Sequence, residues 1–301
     1  MGGEKIVAGL IAAAGAHWLA GCGQDRPLTV GSKNFTEQVI LGEIVAQHVS
    51  LQLSQRVDRK LNLGGTLLAH QALVKGDLAL YPEYTGTALT AILKLPLSSI
   101  AAKGGEDAVF AKVKAEYLAR FNVHWLDPLG FNNTFAMVIR GGDARKYRLE
   151  TLSDAAGLAN GWTLGVGYEF QHRKDGLAGL LKTYKLPLKR RSRAMDLGLL
   201  YKALEQKQVD MVAASATDGM LSVLDVKVLK DDKRYFPPYQ AALAVRADAL
   251  AMHPPLKRAL EQLSGLFSDE IMRTLNYQVD GKHLPVSEVA ITFLRASKLL
   301  A

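Results

Sequence analysis

Tyr81-Pro82-Glu83-Tyr84-Thr85-Gly86-Thr87 is the stretch on which the reading of this chain turns. It follows the apolar run Leu78-Ala79-Leu80, which reads as a buried strand, and precedes residues 88–95, which read as a helix. Two tyrosines, a carboxylate, two hydroxyls and a turn glycine therefore stand at a strand-to-helix junction. In open α/β sheets ligands bind outside the carboxyl ends of the strands, at such junctions. The stretch thus predicts both an α/β sheet and a small-molecule site.

Strands and helices alternate on either side of it. Leu28-Thr29-Val30-Gly31 reads as a strand, and Thr36 can cap a helix carrying Val39, Ile40, Ile44, Val45 and Val49 on one face. Gly64-Gly65 is a turn before a helix over 66–75. Residues 106–121 form a strongly patterned helix, followed by a strand over 123–126. Further strands are expected at 135–140, 162–167, 210–214, 226–229 and 241–246, with helices at 176–184 and 196–206 and a helical tail from about 255. Residues 168–175 read as a polar loop. This alternation argues for α/β units. The strands at 135–140 and 241–246 are alike in character and flank the middle third. If both cross between domains, that third is a second domain inserted into the first.

The 301 residues are 49% hydrophobic and 22% charged, enough for two domains with separate cores. The net charge of +8 is spread along the chain apart from Lys189-Arg190-Arg191-Ser192-Arg193. No groove-reading motif accompanies that run, so no nucleic-acid partner is expected. A single cysteine, Cys22, excludes an internal disulfide and a multi-cysteine metal site. Residues 6–19 have the length of a signal-peptide apolar region. Leu19-Ala20-Gly21-Cys22 then resembles a bacterial lipobox, so residues 1–22 are expected to be a lipoprotein-type signal segment with Cys22 as the lipidated residue. An N-terminal helix with an incidental cysteine is the alternative.

No phosphate-loop, zinc-protease or nucleophile-elbow motif is present. The seven histidines are scattered, with no metal-ligand spacing. Neither a catalytic nor a metal site is expected, and no cofactor; the weight falls on binding and not on an enzyme.

Several blocks resemble the substrate-binding proteins of ABC importers for glycine betaine, choline, carnitine and related osmoprotectants. They are Val30-Gly31-Ser32-Lys33-Asn34-Phe35-Thr36-Glu37-Gln38, Gly64-Gly65-Thr66, residues 81–87 and Gly130-Phe131-Asn132-Asn133-Thr134-Phe135. Arg173-Lys174-Asp175-Gly176, Val209-Asp210, Thr217-Asp218-Gly219 and Phe236-Pro237-Pro238-Tyr239 follow in the family's order. The resemblance implies a type II two-lobe periplasmic-binding-protein fold: α/β, with two α/β domains joined by a two-strand hinge. Residues 28–134 and 239–301 would form one lobe and 135–238 the inserted one. It also implies an extracytoplasmic monomer, in the periplasm or on the outer face of the cytoplasmic membrane, that delivers its solute to an ABC permease.

On the same resemblance, Tyr84, Phe135 and Tyr239 match aromatic-box positions for a trimethylammonium head. A quaternary ammonium has no N–H to donate, so ring faces are its natural partners. Lys33, Thr87 and Arg173 match positions that contact a carboxylate, which Arg can bind bidentately. Each also has a structural reading: Tyr84 and Phe135 as packing residues, Tyr239 as a turn anchor, Lys33 and Arg173 as solvated cations. The sequence departs from the family in two places. Phe135 stands where tyrosine is common, and Ala214-Ser215-Ala216 stands where a further tyrosine often precedes Thr-Asp-Gly. Ser215 is the nearest match there; Tyr168, Phe170 or Tyr201 could supply the missing wall. A binding protein for another small polar solute, such as an amino acid, remains the alternative function.

Overall fold

The computed structural model of the protein describes residues 27–96, 98–158, 161–188 and 192–300. The expectations for residues 1–22, Cys22 included, lie outside the described residues. Ten strands are found within them: β1 (Leu28–Gly31), β2 (Val57–Lys60), β3 (Leu80–Tyr84), β4 (Val123–Trp125), β5 (Phe135–Arg140), β6 (Leu164–Val166), β7 (Arg193–Ala194), β8 (Met211–Ser215), β9 (Val226–Leu229) and β10 (Ala241–Arg246). They form two five-stranded sheets, ordered β2-β1-β3-β10-β4 and β7-β6-β8-β5-β9.

The two sheets share one plan. In each, the first three strands run parallel, and the fourth lies antiparallel to both of its neighbours. The antiparallel strand follows a passage of the chain from the other sheet: β5 follows β4, and β10 follows β9. Neither strand itself spans the two sheets. The crossing is made by the segments just before them, which meet at an antiparallel bridge between Asn132 and Gln240. Tyr239 N–H donates to Asn132 Oδ1 at 2.6 Å, and Asn133 N–H to Tyr239 O at 3.1 Å.

Both sheets are covered on both faces, which parallel strands require. In β10, Ala241, Leu243 and Val245 face one core, whereas Ala242 and Ala244 face another. In β5, Met137 and Ile139 face one core and Ala136 and Val138 the opposite one. The period of two thus sorts each central strand between two apolar layers. The helix α1 (Thr36–Leu53) buries Ile40, Ile44 and Val49 on the first sheet, and α2 (Thr66–Lys75) buries Ala69 and Leu73 on its other face.

Three sequence expectations change. The strand expected at 78–80 is β3, which runs through Pro82 to Tyr84. Proline is tolerated there because the pairing of β3 with β1 is confined to Val30 and Leu80, so the missing N–H has no ladder partner to lose. Thr36 does not cap α1. Phe35 occupies that position, and the Thr36 hydroxyl donates to Asp280 Oδ1 at 2.6 Å. The loop expected at 168–175 begins with a helical turn, Tyr168–His172.

Candidate ligand-binding site

The strand-to-helix junction at residues 81–87 is the floor of a cleft between the sheets. β3 ends at Tyr84, a short helical turn covers Thr85–Thr87, and a π-helical turn follows over Ala88–Ile92. Such turns cluster at functional sites. Gly86 is required for close approach, not for a turn. A Cβ there would lie 2.6 Å from the Pro238 carbonyl and 2.8 Å from the Tyr239 ring. Glycine therefore lets Tyr239 seat against the junction.

A cavity of about 890 Å³ opens above it, at the upper end of the range for small-molecule sites. All seven residues picked from the sequence line it: Lys33, Tyr84, Thr87, Phe135, Arg173, Ser215 and Tyr239. They come from both sheets. Phe135 is the hub of the aromatic group. Its ring lies 5.5 Å from Tyr239 at 80° and 4.7 Å from Phe170 at 71°. The Arg173 guanidinium stands 5.5 Å from the Phe135 ring and 5.8 Å from the Tyr239 ring. Tyr84 stacks on Phe35 at 6.2 Å, with Lys33 Nζ 4.6 Å from its ring centre.

Both cations are partnered within the chain. Arg173 binds Asp175 twice, Nε to Oδ1 at 2.9 Å and Nη2 to Oδ2 at 2.5 Å, and Nη1 donates to Thr87 Oγ1 at 3.1 Å. Asp175 also accepts from Tyr239 OH at 2.7 Å and Thr90 Oγ1 at 2.9 Å. Burial works against both charges, but the pair outweighs it: Arg173 is held above its ordinary range and Asp175 below the usual carboxylate value. Lys33 Nζ pairs with buried Glu83 at 2.6 Å, and Tyr81 OH donates to the other Glu83 oxygen at 2.9 Å. Tyr81 and Glu83 are thus the supports of Lys33. Five guanidinium N–H groups are available on Arg173 and only three are used, so it can still donate into the cleft.

At the other end stands Glu37, a residue of the Val30–Gln38 stretch to which the sequence assigned no role. Its Oε1 accepts from Tyr84 OH at 2.5 Å and Asn133 Nδ2 at 2.8 Å. Its Oε2 accepts from Thr217 Oγ1 and, at 3.3 Å, Asn276 Nδ2. No cation binds it among the described residues. Burial raises its pKa and four neutral donors oppose the rise, with the net shift upward. Asp218 lies nearby. Burial, with Asp280 and Glu37 as like charges, lifts it to about 6.

Ser215 is paired opposite Phe135 across β5 and β8. Phe170 is buried against Phe135 and lines the cavity, as does Tyr168, which is 58% exposed. Tyr201, 6% exposed, lines the cavity close to Asp218. The lobes are also latched outside the aromatic group. Glu169 caps α2 across the cleft, accepting from Thr66 N–H at 2.6 Å and Thr66 Oγ1 at 3.1 Å.

Residues 26–296 match a family described as the substrate binding domain of ABC-type glycine betaine transport system. The chain belongs to this family. It is 39% identical over 261 residues to the ergothioneine transport permease/ergothioneine binding protein EgtU of Helicobacter pylori, covering 85% of this chain and 45% of that protein. It therefore spans under half the length of that relative. It is 36% identical over 279 residues to the carnitine transport binding protein OpuCC of Listeria monocytogenes, covering 92% and 88% of the two chains. A crystal structure of a glycine betaine/carnitine/choline ABC transporter protein superposes with a TM-score of 0.76 at 30% identity, covering 90% of this chain and 99% of that one. The fold is the type II periplasmic-binding-protein arrangement, and the chain is a substrate-binding component of an ABC importer, not an enzyme.

Proposed function

We propose that this chain captures a zwitterionic quaternary amine of the betaine type in the cleft between its sheets and presents it to an ABC permease outside the cytoplasm. The meeting of Phe135 and Tyr239 with Arg173 and Thr87, drawn from both sheets, in a cavity that Tyr84 also lines, supports this reading. Tyr84, Phe135 and Tyr239 would surround the trimethylammonium head, each face contributing about 0.5–2 kcal/mol. The unused Arg173 donors, the Thr87 hydroxyl and Lys33 would hold the carboxylate. Because Asp175 already balances Arg173, that end binds a carboxylate by directed hydrogen bonds more than by net charge.

The lobe division at 28–134 with 239–301 and at 135–238 belongs to this proposal; sheet membership supports it. Closure would follow from contacts that only the closed form makes, such as those of Asp175 and Glu37 across the cleft. Lipid attachment at Cys22 and action as a monomer are part of the proposal on sequence grounds alone.

A second reading concerns the size of the solute. The cavity is several times larger than glycine betaine needs, and Ser215 puts only a small side chain opposite Phe135 on its wall. A bulkier betaine, such as the ergothioneine named for the 39%-identical relative, fits that space better. Titration calorimetry with glycine betaine, choline, carnitine and ergothioneine, beside a panel of primary amino acids, tests both readings. We expect heat with the quaternary zwitterions and none with the amino acids. Heat with an amino acid and none with any quaternary amine would overturn the aromatic box.

A further inference from the structure

Besides the crossing segments, the two halves of the molecule are joined at a further place. The turn Gly219–Ser222 follows β8 and is built into the second sheet's side: Met220, Leu221 and Leu224 pack on the core that Val212 and Ala214 face. The helix Asp269–Asp280 is built into the first, where Met272 and Leu275 are core residues. Turn and helix meet on one helical face, at positions 273, 276 and 277. Arg273 Nε donates to Ala216 O at 2.9 Å, and Asn276 Nδ2 to Thr217 O at 2.8 Å. Buried Gly219 lies so close that a Cβ there would stand 2.4 Å from Tyr277 N and 2.6 Å from Tyr277 Cα.

This contact is continuous with the crossing. Ala216 N–H donates to Thr134 O at 2.9 Å, and Asn132 N–H to Asp269 Oδ1 at 2.9 Å. Asn132 and Thr134 belong to the segment that leads into β5. Turn, helix and crossing segment thus form one hydrogen-bonded row.

The bonds at the Arg173 end are of another kind. Glu169 accepts from Thr66, Arg173 donates to Thr87, and Asp175 accepts from Thr90 and Tyr239. In each of these the second sheet's side contributes a side chain, which can rotate away and exchange its partner for water. At the turn it contributes main chain: two carbonyls and the bare Cα of Gly219. Such a contact cannot part without moving whole elements and stripping packed groups of their partners. It can still rotate, because Gly219 has no side chain to obstruct the helix. The Thr217 hydroxyl is the one side-chain bond here, donating to Glu37. It can form or break while the carbonyl contacts hold.

We propose that residues 216–219, seated on the helix Asp269–Asp280, are a pivot kept in both the open and the closed form, so that the lobes swing about it and part at the Glu169 end. Two crossing segments alone would leave the direction of opening free; a third fixed point beside them restricts the swing to one axis. The pivot rests on the two-lobe reading above and not on which solute is bound.

The test is double electron–electron resonance on the full chain in a Cys22→Ser background, with spin labels on two pairs of introduced cysteines. Leu67→Cys with His172→Cys spans the Glu169 end, and Ser222→Cys with Thr274→Cys spans the pivot. All four positions are exposed. The lobes are opened by Glu169→Ala and, separately, closed by saturating glycine betaine or ergothioneine. The 67–172 distance should change by more than about 2 Å, and the 222–274 distance by less than about 1 Å. A change at 222–274 as large as that at 67–172, or a fixed 67–172 distance under every condition, would overturn the pivot. The Glu169→Ala arm needs no solute, so a failure of the betaine reading shows in calorimetry and leaves this test intact. The solute arm covers a variant that fails to fold.

Discussion

Two carboxylates stand behind the cleft, and the fold treats them in opposite ways. Asp175 is neutralised by Arg173 and further bonded by Tyr239 and Thr90. Glu37 is just as enclosed but is held by four neutral donors, one of them the Tyr84 hydroxyl. Each carboxylate thus anchors one cavity-lining tyrosine and ties the two sheets together. The difference lies in the partners. Asp175 is paired with a cation. Glu37 is held by neutral donors alone among the described residues, and burial raises its pKa.

The largest expected effect comes from breaking the balanced end. Arg173→Ala leaves Asp175 buried without a cation and should lower stability by about 3–5 kcal/mol, besides abolishing binding. Glu37→Gln removes charge but keeps one acceptor, so it should cost only about 1–3 kcal/mol. Urea unfolding of both variants ranks them, and the reverse order would erase the distinction between the two ends.

The next effect is a pH dependence at the unbalanced end. Asp218 titrates near 3.8 when unfolded and at about 6 when folded. The folded form therefore binds the proton more tightly, and stability should fall as pH rises from about 4 to about 6. The full span corresponds to at most about 3 kcal/mol. Asp218 is faced by Glu37, Asp280 and Tyr201, and Glu37 shifts in the same direction. The slope attributable to Asp218 is thus the difference between wild type and Asp218→Asn. Thermal melts across that range should show the wild type losing more stability than the variant; parallel curves would remove Asp218 from the account.

The smallest effect concerns the latch made by Glu169, whose Oε2 also stands 3.9 Å from Arg173 Nη1. Glu169→Ala removes the cap on α2 and should weaken ligand binding by roughly fivefold, matching about 1 kcal/mol for a helix cap. Small-angle scattering of the unliganded variant should report a more open average shape. An unchanged Kd and profile would leave closure to Asp175 and Glu37 alone.

Much of the fold could be read from the sequence, because apolar runs and helical faces repeat with clear periods. The strands Phe135–Arg140, Val226–Leu229 and Ala241–Arg246 and the helix Thr66–Lys75 stand where periodicity put them. β2 was not legible, since Val57-Asp58-Arg59-Lys60 is an edge strand with a polar face and no alternation. The seven site residues were legible as types in ordered blocks, and all of them border one cavity. Their pairing was less so. Asp175 stands two positions from Arg173, yet nothing in that spacing says the guanidinium folds back on it. Glu37 could not be read as an organiser, because its partners Tyr84, Asn133, Thr217 and Asn276 lie far apart in the chain. Tyr84 and Tyr239 are also more deeply built in than ring-lined walls alone would be, since both belong to the first sheet's core.

The late return of β10 to the first sheet bears on the order in which the molecule can be made. The second sheet draws all five strands from residues 135–229, so it can be completed while the last quarter of the chain is still absent. The first sheet cannot. Its β3 and β4 are separated by β10, which begins at Ala241, so an N-terminal portion emerging from a ribosome or a translocation pore has a gap in its centre. Long-range pairing of that kind is slow to form. A chain built this way stays unfinished at its beginning until nearly its end, and so remains threadable for most of its synthesis.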